Sequence, residues 1–154
     1  MPPIEQIHPM LVHFPIVFVI TLAALDVVLL ARGREMAGRG GLADISAAVA
    51  VLAGLTAIAA YVFGDVALDV ASSHGVPEAR TELHETLGSI SAAVLAIWAL
   101  VRGWLWWRDR PAGGGVRGGI AVVELAMVAL VLATAYAGGQ LVFDYGVNVG
   151  RIAG

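Results

Sequence analysis

Apolar residues in this chain come in long runs with few polar interruptions, not in the alternating or three-to-four patterns of water-soluble elements. Four runs stand out, at about 9–30, 42–63, 85–107 and 119–143. Each has about the 20 residues that a helix needs to cross a bilayer. Helices are the expected form, because lipid offers free backbone N–H and C=O groups no partner. Strands fit poorly, since the runs are too long and too rich in Ala and Leu. The expected fold is all-α: one domain over 1–154, an integral membrane four-helix bundle.

The polar breaks between the runs give a direction. "ARGREMAGRGG" and "RDRPAGGGVRGG" are Gly/Arg-rich turns carrying Arg32, Arg34 and Arg39, then Arg108, Arg110 and Arg117. The middle connection is acidic, with Asp65, Asp69, Glu78, Glu82 and Glu85 against Arg80 alone. The positive-inside rule then puts the first and third connections in the cytoplasm and both termini outside, in the periplasm of a bacterial inner-membrane protein. Trp104, Trp106 and Trp107 fall at the inner interface of the third span, as an aromatic belt does. Pro77 suits the first turn of the third helix, so helices two and three are expected to form an extended hairpin on the outer side. The start, "MPPIEQIHP", has no basic segment before its apolar run, so the first span is expected to be kept rather than cleaved.

Composition narrows the chemistry. Hydrophobic residues make up 59% and charged ones 14%, and the mean hydropathy of +0.85 points to the bilayer as solvent. The absence of cysteine excludes disulfides, thiolate metal sites and cysteine nucleophiles. All nine basic residues are arginine, so lysine Schiff-base chemistry is excluded too. A net charge of −3 with no basic stripe argues against a nucleic-acid partner.

The four histidines, His8, His13, His74 and His84, all map to the outer side of this topology. His8 precedes Pro9 at a helix boundary, and His13 lies about one turn inside, next to a bend expected where Pro15 removes the partner of the Leu11 carbonyl. His84 reaches a similar depth on the third span, and Gly88 lies one turn below it on the same face, leaving a hole beside the imidazole. Gly64, Gly138 and Gly139 bring further small residues to that depth. Bis-histidine haem sites in helix bundles take one His from each of two helices, so His13 and His84 are the expected axial ligands of a haem b. Glu82, Glu85 or Tyr145 would orient the other ring nitrogens, and Arg80 would neutralise a propionate. A copper or zinc site from His8, His13, His74 and His84 is the alternative. The glycines equally suit close helix packing, and interfacial histidines equally suit anchoring. Deeper in, Asp26 and Arg102 share a relative position on two parallel spans. They are expected to pair, with Glu124 as a third member and Asp44 entering from the same end.

The opening "HPMLVHFPIVF" and the ending "GGQLVFDYGVNVG" resemble those of a bacterial family of small four-helix membrane proteins, domain of unknown function 2231. The resemblance spans nearly the whole chain and rests on His8, Pro9, His13 and Pro15, then His84 and Gly88, then Gly138, Gly139, Tyr145, Gly146 and Val147. It implies the four-helix architecture and assigns no reaction. Some relatives of this kind accompany c-type cytochrome systems, which implies redox work. The tail "FDYGVNVG" has turn-forming Asp144, Gly146 and Asn148 and is expected to fold over the outer mouth. The reading is thus an electron-transfer protein rather than a stand-alone enzyme. A quinol or a periplasmic c-type cytochrome is the expected partner, beside the lipid bilayer. A non-catalytic subunit of a larger respiratory or photosynthetic complex, or a homo-oligomer, is the further alternative.

Overall fold

A computed structural model of the chain describes residues 7–73 and 78–145, with side chains placed for 8–66 and 81–144. It contains α1 (Ile7–Leu11), α2 (His13–Ala31), α3 (Leu42–Ser73), α4 (Glu78–Trp107) and α5 (Gly114–Tyr145), with no strand among the described residues. Helices α1 and α2 form one rod, interrupted only at Val12, which keeps right-handed helical dihedrals (φ −59°, ψ −24°). The break at Val12 has a local cause: Pro15 has no N–H, so the ladder loses the bond to the Leu11 carbonyl, while Val12 N–H still donates to the His8 carbonyl at 3.1 Å. Four stretches are long and apolar enough to span a membrane: His8–Ala31, Leu42–Val66, Thr81–Trp107 and Gly114–Asp144. Both α3 and α4 continue beyond their spans toward their shared connection, as the extended hairpin requires.

The rods close into a ring in which α3 and α5 each pack between α2 and α4, and α1 lies against α3. Helix α3 carries buried small residues at intervals of three or four, Ala43, Ala47, Ala50, Gly54 and Ala57, and Gly54 meets α4 directly. A β-carbon on Gly54 would stand 2.5 Å from Ala99 Cβ and 3.0 Å from the Leu95 carbonyl oxygen. Lipid provides no hydrophobic drive between helices, so such close backbone approach is what holds them together.

Polarity is inverted relative to a soluble bundle. Leu100, Val122 and Phe143 point outward, 73%, 67% and 90% exposed, while Asp26, Ser46, Arg102 and Glu124 are buried. Arg102 Nη1 donates to Asp26 Oδ2 at 2.6 Å and to Glu124 Oε1 at 2.5 Å. Its Nη2 donates to the Met36 carbonyl and to Ser46 Oγ, and Ser46 donates on to Asp26 Oδ1. Trp98 Nε1 donates to Glu124 Oε1 at 3.1 Å. The cluster joins all four rods, as expected of charges withdrawn from lipid. Asp44 is not a member: it accepts from Trp106 Nε1 and from the Gly40 amide nearer the end of the bundle.

The connections 32–41 and 108–113 lie at that end and lock together. Glu35 Oε1 accepts from the amides of Met36, Ala37 and Ala112. Asp109 Oδ1 accepts from the Arg39 amide, and the Arg39 side chain donates to the last carbonyls of α4, at Trp106 and Trp107. The start of α1, the end of α3, the start of α4 and the end of α5 lie at the opposite end.

Candidate functional site

At that opposite end the bundle interior opens into a cavity of about 460 Å³, a volume typical of cofactor pockets, which run from about 300 to 1,000 Å³. Two imidazoles face this space. The rings of His8, on α1, and His84, on α4, have centres 6.3 Å apart and planes inclined at 76°. Both rings are about half-buried.

Each ring is held in the same way by the next rod of the bundle, α3 for His8 and α5 for His84. His8 Nδ1 donates to the Ala60 carbonyl on α3 at 2.8 Å, and His84 Nδ1 donates to the Thr134 carbonyl on α5 at 3.2 Å. A carbonyl can only accept, so the Nδ1 proton is fixed and Nε2 keeps its lone pair. Four residues beyond each carbonyl stands a glycine. A β-carbon on Gly64 would meet His8 Cε1 at 2.9 Å, and one on Gly138 would meet His84 Cε1 at 2.8 Å. Side chains four apart on a helix share a face. A bare position one turn past the acceptor is therefore what lets each ring reach the helix backbone. The same two-part seat, carbonyl and glycine, occurs once in each half of the chain.

Ala57, Leu95, Ile16 and Val131 line the deeper part of the cavity, and Ser91 and Thr134 share a hydrogen bond of 2.9 Å on its wall. Exposed Asp65 and Glu85 stand among the lining residues.

Residues 5–151 match the family model described as predicted membrane protein, DUF2231. The chain belongs to this family. No curated protein and no solved structure matches it. The family resemblance now has a spatial meaning. Of the residues that carry it, His8, Pro9, His13, Pro15, His84, Gly88, Gly138 and Gly139 all line the one cavity.

The structure pairs His84 with His8, not with His13. His13 lines the cavity too, but it is exposed, and His8 occupies the seat opposite His84. Gly88 leaves the open space expected beside His84: nothing lies within 4 Å of a β-carbon built there. The partners of the His8 and His84 rings are the Ala60 and Thr134 carbonyls, where Glu82 or Glu85 was expected. Among the described residues, no three His, Asp or Glu side chains are grouped to hold a metal ion. His74 and the tail from Gly146 onward lie outside the described residues, as do the side chains of Arg80 and Tyr145.

Proposed function

We propose that this family member binds one b-type haem between His8 and His84 and exchanges electrons at the end of the bundle away from the arginine-rich connections. The observation that carries the reading is the imidazole pair. Two rings bound to one metal from opposite sides, each at a metal–nitrogen distance of about 2.0 Å, have centres about 6 Å apart. The separation here is 6.3 Å. Both rings spend Nδ1 on a backbone carbonyl and keep Nε2 for a ligand, the arrangement that orients metal-bound histidines.

The donor set separates haem from the copper or zinc alternative. A protein zinc site takes three or four side-chain ligands. A haem brings four of its own nitrogens and asks the protein for two. Two imidazoles beside an apolar cavity suit the second requirement.

When bound, haem supplies a reversible one-electron step. The chain's own contribution is to hold and to shield. His8 and His84 fix the position from two different rods, and the Ala60 and Thr134 carbonyls fix the tautomer. Gly64 and Gly138 let the rings draw back against α3 and α5, and Leu95 and Val131 keep water from the deeper side. A single cofactor near one face of a hydrocarbon layer about 30 Å thick works on that face, with a quinol or a periplasmic c-type cytochrome as its partner. The positive-inside rule makes it the outer face.

The test is the visible absorption of the protein purified from membranes, oxidised and then reduced with dithionite. A Soret band with the sharpened bands of a reduced six-coordinate haem supports the reading. A colourless protein that gains no such spectrum with added haemin contradicts it.

A further inference from the structure

A second concave site lies at the arginine-rich end, on the lipid-facing side. It encloses about 300 Å³ between the last turns of α2 and the first residue of α3, and is lined by Leu25, Val28, Leu29, Arg32, Arg34 and Leu42. Leu25, Val28, Leu29 and Arg32 follow the i, i+3, i+4, i+7 spacing of one helix face. The floor is thus a single apolar stripe that ends in a guanidinium. Val28 and Leu42 are 46% and 44% exposed, so the groove is open along its length.

The cationic head of the groove is built into the fold. Gly33 takes φ +62° and ends α2, with its amide on the Leu30 carbonyl and the Arg34 amide on the Leu29 carbonyl. Arg117 Nη1, from α5, then donates to the carbonyls of Gly33 and Arg34 and ties this turn to the bundle. The turn that displays Arg32 and Arg34 is therefore fixed. Among the described residues neither guanidinium has a hydrogen-bond or ion-pair partner. The nearest acid in sequence, Glu35, is turned inward onto three backbone amides. Two uncompensated positive charges thus head an apolar channel that contains no acid.

We infer that this groove binds one glycerophospholipid of net negative charge, its phosphate between Arg32 and Arg34 and an acyl chain along Leu25, Val28 and Leu42. Basic pockets between membrane helices at the headgroup level recognise lipids of this charge. Guanidinium suits the phosphate because it donates in a planar fork. Free phosphate shares the head chemistry but leaves the apolar stripe uncovered, so the lipid fits the whole groove.

Native mass spectrometry of the full chain in nonionic detergent tests this, with phosphatidylglycerol, phosphatidylcholine or inorganic phosphate added. One phosphatidylglycerol per chain should be retained over phosphatidylcholine by about tenfold or more, since each cationic contact near a membrane surface is worth roughly fivefold. Arg32→Gln with Arg34→Gln should abolish the preference. Arg108→Gln with Arg110→Gln, at the same end but outside the groove, should leave it. Val28→Trp fills the channel with the charges intact and should also lose the lipid, which decides the matter should the arginine variant not fold. Equal retention of phosphatidylcholine, displacement by inorganic phosphate, or equal loss in both arginine pairs would overturn the inference.

Discussion

Gly64 and Gly138 differ from most glycines of this chain in what a side chain there would strike. Both β-carbons would fall within 3 Å of an imidazole, whereas one on Gly88 would enter open space. Gly64→Ala and Gly138→Ala should therefore displace His8 or His84 and lower haem affinity at least tenfold, while costing about 1–3 kcal/mol through overpacking. Gly88→Ala should do neither at the level of a methyl group. Haem titration and thermal melting of the three variants check this. The sequence put small residues at the depth of the histidines. It gave no sign of the Ala60 and Thr134 carbonyls, because every residue has a carbonyl and only the packing selects two of them. The buried ion cluster was more legible, since a charge inside an apolar run has to find a partner. One guanidinium there serves two carboxylates, and among the described residues Glu124 Oε2 has no partner while both oxygens of Asp26 accept. Asp26→Asn should thus cost about 3–5 kcal/mol, as expected when a buried ion loses its compensation. Glu124→Gln, which keeps an acceptor for Arg102 and Trp98, should cost clearly less. Denaturation in detergent that ranks them the other way would reject this division of labour.

The pairing of His8 rather than His13 follows from rotation along the helix. Asp26 lies 18 residues after His8, and Arg102 lies 18 after His84 (8 to 26, 84 to 102). Eighteen residues make about five full turns, so each histidine shares the inward face of its buried charge. From His13 to Asp26 the rotation is about 220° at about 100° per residue, which carries His13 away from that face. Depth along the span favoured His13; face favoured His8, and the short α1 helix extends the first rod far enough to bring His8 in. The sequence held this spacing, but depth alone does not expose it. The lost helical bond, by contrast, followed from one residue, Pro15, and shows as the interruption at Val12, where the backbone stays right-handed helical. Buried small residues at regular spacing make α3 a packing helix. Gly54→Val should drive α3 from α4 at Ala99 and lower stability by about 1–3 kcal/mol or more, since backbone cannot yield as a side-chain tip does. A melting temperature equal to that of the unmodified chain would show the seam to be looser than this.

Across the whole molecule, two halves contribute alike. Each gives a histidine, a charge 18 residues later, and a second helix that seats the histidine through a carbonyl and a glycine. Eighteen helical residues span about 27 Å, close to the hydrocarbon thickness of about 30 Å. The imidazoles and the ion cluster are therefore at opposite ends of the bundle interior. The four runs, their order and the gathering of arginines at one end were readable from hydropathy and charge. The ring that brings the two halves face to face was not, because helix periodicity says which side is apolar and lipid makes every side apolar. The proposed haem site depends on that closure, since His8 and His84 come from different halves. Its most direct test is the absorption spectrum of the haem-loaded chain carrying His8→Ala, His84→Ala or His13→Ala in turn. Loss of the six-coordinate spectrum in the first two, with retention in the third, is the expected result. A spectrum that survives His8→Ala and His84→Ala, or that disappears with His13→Ala alone, would contradict it.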